Sequence, residues 1–93
     1  MTKLKAAEVK AALLKIPGWQ RRGAKLVRTI ELDDFPRAIR FVTAVAKLAE
    51  RANHHPDFEI RYRQVTLTLT THDAGGLTTK DFDLAAKVNQ LAT

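Results

Sequence analysis

Three histidines have the widest chemical reach in this chain of 93 residues. An imidazole can both give and take a proton near neutral pH. His54 and His55 stand side by side, where a helical run meets Pro56. His72 ends the strand-like run VTLTLTTH. The stretch from Glu50 to His72 therefore holds every imidazole, and the expectation is that the fold brings all three to one cleft. Glu50 precedes His54 by four residues, so the two should share a face at a helix C-terminus. A carboxylate and a helix C-terminus both favour a protonated imidazole. The proline holds His55 extended and aims it elsewhere, so the two adjacent rings enter the cleft at different angles. His72 lies beside the Gly75-Gly76 loop, a suitable cleft wall.

Plainer roles compete with this one, and composition alone favours them. A histidine at a helix end often serves as a cap, and one at a strand end is often solvated. Asp81 reads first as a helix cap and Tyr62 as core. A metal site is not expected. Zinc takes four ligands, or three and a water. The chain has no cysteine, adjacent histidines before a proline are not a usual chelating pair, and no acid has the spacing of a metal-binding helix.

The elements around these residues follow from periodicity. A first helix is expected from about Lys3 to Lys15, capped by Thr2, with Leu4, Ala7, Ala11 and Leu14 on its apolar face. Pro17-Gly18 ends it. Trp19, the single tryptophan, should pack under a sheet. Two strands follow, Trp19 to Arg22 and Lys25 to Leu32, joined at Gly23-Ala24. Arg28 interrupts the apolar side of the second, which leaves its facing open. Asp33 or Asp34 can cap a long second helix from Phe35 to about Asn53, with Pro36 in its first turn. Its stripe comprises Ala38, Phe41, Val42, Val45, Leu48, Ala49 and Ala52, and Pro56 forces its end.

Phe58, Ile60 and Tyr62, then Val65, Leu67 and Leu69, alternate with polar residues, as in antiparallel strands with one buried face. Arg63-Gln64 is a poor turn sequence between them. A loop at Asp73-Ala74-Gly75-Gly76 leads to a third helix after Leu77. There Thr78 and Asp81 have capping-box spacing, and Phe82, Leu84, Ala85, Ala86, Val88 and Leu91 make apolar flanks. The order is αββαββα. This predicts an α+β fold: one domain over residues 1–93, a four-stranded antiparallel sheet with three helices packed on one face.

Composition bounds the rest. Hydrophobic residues make up 45% and charged residues 28%, as in an ordinary globule. Disulfides, thiolate metal sites and a cysteine nucleophile are excluded, in keeping with a cytoplasmic protein. No apolar run approaches the roughly 20 residues that span a bilayer, and the lysine-bearing N-terminus reads as a helix rather than a leader. The formal charge of +6 attracts anions. The basic residues are scattered, however, so a solvated basic surface is favoured over a nucleic-acid or acidic-protein partner or a pocket for an anionic substrate.

The spacing Glu50-x3-His54-His55-Pro56-x5-Tyr62-x9-His72-x8-Asp81 resembles the signature of the pterin-4a-carbinolamine dehydratase family. Gly18-Trp19, the phenylalanines entering the second helix, Thr70-Thr71-His72, Gly75-Gly76-Leu77-Thr78 and Leu84-Ala85 extend the resemblance over nearly the whole chain. Phe58 stands where relatives often carry tryptophan, and Thr66 where some carry another histidine. The resemblance implies a dehydratase that converts 4a-hydroxytetrahydropterin to quinonoid dihydropterin and water, with no cofactor or metal. It implies His54, His55 and His72 as catalytic residues and Glu50 and Asp81 as their support. It implies His55, Pro56, Phe58, Thr70 and Thr71 as substrate-binding. His54 and His72 would exchange protons while His55 orients the substrate. It also implies a homodimer or homotetramer. Ile39, Ala44 and Ala46, off the main stripe of the second helix, would allow helix pairing. The alternative reading is a non-catalytic protein-binding module, since similar proteins act as a dimerisation cofactor for a homeodomain transcription factor or as an assembly factor for a carbon-fixing enzyme.

Overall fold

The computed structural model describes residues 2–92. Along the chain run α1 (Ala6–Leu13), β1 (Gln20–Arg22), β2 (Lys25–Glu31), α2 (Phe35–Ala52), β3 (Asp57–Arg61), β4 (Gln64–Leu69), a 3₁₀ turn (His72–Ala74) and α3 (Thr79–Ala92). The strands form one sheet in the order β1-β2-β4-β3, with every neighbouring pair antiparallel. The expected element order and α+β architecture hold.

Register decides which face is buried. Pairing of Leu26 with Leu69, Arg28 with Leu67 and Ile30 with Val65 puts these six residues on one face. The five apolar ones are buried there with Ala38, Phe41, Val45 and Ala49 of α2 and Phe82, Leu84, Ala85 and Val88 of α3. Each buried leucine stabilises the fold by roughly 1.5–3 kcal/mol. The opposite face carries Thr29 and Thr66, whose hydroxyls meet at 2.9 Å.

Arg28 lies on the core face because it has a partner there. Asn89 Oδ1 of α3 accepts from the Arg28 guanidinium and from Trp19 Nε1 (2.8 Å), and Asn89 Nδ2 donates to the Pro17 carbonyl (3.0 Å). Gly18 completes this corner. Its φ is +90°, and an added Cβ would stand 3.0 Å from Arg28 Nε, so a side chain here would strain the backbone and displace the Arg28 guanidinium.

Three details depart from the sequence reading. First, α1 is shorter than expected and turned. Lys5, not Thr2, precedes it, with its N–H donating to Glu8 Oε1 (2.9 Å). Val9 is buried, whereas Ala7, Ala11 and Leu14 are exposed. The small alanines are indifferent to burial, so the β-branched Val9 and the following Ile16 set the rotation. Second, β3 has no buried residue. Phe58 and Ile60 pair with Leu67 and Val65, so they do point to the core face, but at a sheet edge beyond the helices' cover. Third, Tyr62 is not core: it is 69% exposed, with φ +53°. Arg61 pairs with Gln64, so Tyr62 and Arg63 are themselves the two-residue turn, and a left-handed tyrosine replaces the usual glycine or asparagine.

The long helix behaves as its stripe predicts. Asp34 caps α2 by accepting from the Arg37 N–H (2.9 Å), with Pro36 in the first turn. At the far end Asn53 takes a left-handed conformation (φ +50°, ψ +43°), a common helix stop. That turn, immediately before His54-His55-Pro56, swings the chain out of the helical path. Among the described residues no helix is long and apolar enough to cross a membrane.

Candidate active site

Asp81 is the anchor of the site. It lies in the first turn of α3 and is fully buried. Its Oδ2 accepts from the Thr78 N–H (2.9 Å) and the Thr71 hydroxyl (2.8 Å). Its Oδ1 lies 2.5 Å from His54 Nε2. Thr71 spends its only hydroxyl proton on the carboxylate, so at the 2.9 Å contact between the two threonine hydroxyls Thr78 donates. The Lys80 N–H donates in turn to Thr78 Oγ1 (3.3 Å). The capping-box reading of Thr78 and Asp81 thus describes the helix start, and one carboxylate both caps α3 and holds an imidazole.

His54 is only 9% exposed. Its protein bond runs through Nε2, and among the described residues no buried side-chain nitrogen or oxygen lacks a partner. Nδ1 therefore keeps some exposure, and His54 borders a cavity of about 320 Å³. His55 and His72 line the same cavity, with Asn53, Thr70, Thr71, Asp73 and Lys80. The three imidazoles come from the end of α2 and from the turn after β4, as the sequence suggests. His72 opens the 3₁₀ turn rather than ending the strand, because β4 stops at Leu69 and Thr71 bridges back to Gly76. Gly75, at φ +72°, closes that turn.

The partner expected for Glu50 is wrong by one residue. Glu50 Oε2 contacts His55 Nε2 at 2.5 Å, not His54. The four-residue spacing assumed a helix through residue 54, and the left-handed Asn53 breaks it. Two residues expected at the substrate lie outside the cavity lining. Pro56 is buried, and Phe58 sits on the edge strand β3. Thr70 and Thr71 do line it; the Thr70 hydroxyl donates to the Ala24 carbonyl (2.6 Å). Sequence reasoning missed Asn53, Asp73 and Lys80 as lining residues, and Thr78 as part of the Asp81 network. The Thr78–Asp81 spacing was the available signal for Thr78. Among the described residues no group of three or more His, Cys, Asp or Glu side chains could hold a metal ion.

A model of the family described as pterin 4 alpha carbinolamine dehydratase matches residues 2–91. This chain belongs to that family. A pterin-4-alpha-carbinolamine dehydratase, so named provisionally, from Roseiflexus sp. (strain RS-1) is 54% identical over 90 residues, 97% of each chain. One with the same provisional name from Thermomicrobium roseum is 50% identical over 93 residues, all of both chains. The crystal structure of a transcriptional coactivator/pterin dehydratase from Brucella melitensis superposes with a TM-score of 0.95 at 33% identity, covering 99% of this chain and 100% of that one. A pterin dehydratase-like protein, identified as a RuBisCO assembly factor in the alpha-carboxysome, shares the fold alone. Its TM-score is 0.65 and its identity 24%, over 80% of this chain. The pterin dehydratase fold therefore carries proteins named for catalysis and for assembly, and the site must be judged on its own chemistry.

Proposed function

We propose that this chain is a 4a-hydroxytetrahydropterin dehydratase that works by histidine acid/base chemistry. The observation that carries the reading is one cavity lined by three imidazoles, one of them oriented by a buried carboxylate. The cavity volume lies at the small end of ligand sites, about 300–1,000 Å³, and suits a single bicyclic ring. The reaction breaks the C4a–O bond. His72, exposed at the cavity, gives a proton to the 4a-hydroxyl, which leaves as water. The N5 electron pair forms the C4a=N5 double bond, and the N5 proton passes to His54 Nδ1. Solvent returns both imidazoles to their starting states. Asp81 holds the His54 ring so that Nδ1 meets the substrate, a positioning role. His55, with Glu50 on its Nε2, binds and orients the pterin.

The test is the rate of carbinolamine dehydration with the His54→Gln and His72→Ala variants, each checked for folding. Glutamine keeps a donor for Asp81 but cannot exchange protons. A loss of about 10²–10⁴-fold in each is expected from removing one general acid or base. Full rate in both variants would sink the assignment.

A second role is favoured by β3, whose exposed edge carries Phe58 and Ile60. Exposed apolar edges invite pairing. Antiparallel pairing of two copies about Ile60 sets Glu59 of each opposite Arg61 of the other, charges that attract across a ladder. A homo-oligomer built on this edge is expected to dissociate in the Ile60→Lys variant, as read by sedimentation. An unchanged oligomer would place the contact elsewhere, on α2 for example, where Ile39 is exposed.

A further inference from the structure

A second cavity, of about 410 Å³, borders the same loop as the histidine site but uses none of its side chains. Lys3, Lys5 and Arg21 line it, with Gly23, Gly75 and Gly76, and among the described residues no acidic one does. Two separate segments bring the cations together. Leu4 donates its N–H to the Leu77 carbonyl (2.7 Å), which pins the strip before α1 against the loop. Lys5 has extended backbone (φ −76°, ψ 160°), and in an extended strip residues two apart leave on the same side. The stem of Lys3 lies over Gly76, where an added Cβ would stand 3.2 Å from Lys3 Cδ. From β1, Arg21 donates Nε–H to the Gly23 carbonyl (2.9 Å), which fixes its fork at the hairpin turn. Among the described residues none of these three cations forms an ion pair. Glu8, which accepts from the Lys5 N–H, lines a different cavity.

Three like charges around one hollow repel each other, and an anion between them removes that cost. We propose that this cavity is a binding site for a small phosphate-bearing molecule. A carboxylate brings one charge, whereas a phosphomonoester brings about 1.5–2 and three acceptor oxygens, which matches two ammonium groups and a planar guanidinium. The site stands apart from the dehydratase reading and does not depend on it.

The test titrates the whole chain with inorganic pyrophosphate at constant ionic strength, followed by calorimetry and backbone amide spectra. One saturable site at millimolar concentration or below is expected, with shifts centred on Lys3, Arg21, Gly75 and Gly76. Each of Lys3→Gln, Lys5→Gln and Arg21→Gln should weaken it about fivefold, and the triple variant should abolish it. A second triple variant, Arg40→Gln/Lys47→Gln/Lys87→Gln, changes the net charge equally and should bind as before. Absence of saturation would overturn the proposal. So would equal losses in the two triple variants, or binding of a short single-stranded oligonucleotide without binding of pyrophosphate.

Discussion

Two adjacent histidines make the same contact in opposite surroundings. His54 Nε2 meets Asp81 at 2.5 Å with side-chain exposures of 10% and 0%. His55 Nε2 meets Glu50 at 2.5 Å with exposures of 58% and 76%. Distance alone would rank them equal. Burial separates them, because a charge away from water depends on its partners, while an exposed charge can turn to solvent. The Asp81 carboxylate has three donors, from His54, Thr71 and Thr78, and ties three segments of the chain together. The Glu50 carboxylate ties a helix end to the next residue but four. The first pair is a fixture of the fold that also aims a ring. The second is an adjustable contact at a cavity rim.

The sharpest way to break this contrast is Asp81→Ala. It strands the Thr71 hydroxyl, the Thr78 N–H and His54 Nε2 without their acceptor, and removes the cap of α3. A loss of about 3–5 kcal/mol is expected, read as a lower denaturation midpoint with an unchanged slope. A loss below about 1 kcal/mol would make the buried pair no different from the exposed one. Next in size is Thr78→Val, which keeps the shape but removes the hydroxyl that donates to Thr71 and accepts from the Lys80 N–H. About 1–2 kcal/mol is expected by the same measurement. The dehydratase rate of this variant should fall less than that of His54→Gln, since Asp81 and His54 keep their contact.

The meeting of the three imidazoles was legible in the sequence because it depends on element order. A helix end and a strand end separated by one hairpin must fall near each other in an antiparallel sheet. The pairing of carboxylates to rings was not legible. It turns on the single left-handed residue Asn53, which shifts Glu50 from His54 to His55. Asp81 was legible as a cap through its spacing from Thr78, but that spacing says nothing of which ring packs over the cap. Periodicity likewise told the orientation of Phe58 and Ile60 correctly and their burial wrongly. Alternation reports which face a side chain takes, whereas burial needs something opposite it. Arg28 shows the converse: a polar residue on the buried face, explained by Asn89 about sixty positions away.

The smallest effect belongs to Glu50→Gln, and it tests the other half of the contrast. The carboxylate is 76% exposed and its imidazole 58%, so water and salt compete for both groups. A stability change within about 0.5 kcal/mol is expected at moderate salt. Whatever remains should shrink further as the ionic strength rises toward about 1 M, where the screening length falls to about 3 Å. The buried pair gives no such dependence, because no salt ion reaches the Asp81 carboxylate. Dehydration with Glu50→Gln should weaken mainly through substrate affinity, since His55 loses its orienting contact but neither ring proposed to transfer a proton is touched. A large fall in kcat with KM unchanged in Glu50→Gln, together with near-full rate in His54→Gln, would mean that His55 rather than His54 handles the proton. The buried dyad would then be purely architectural.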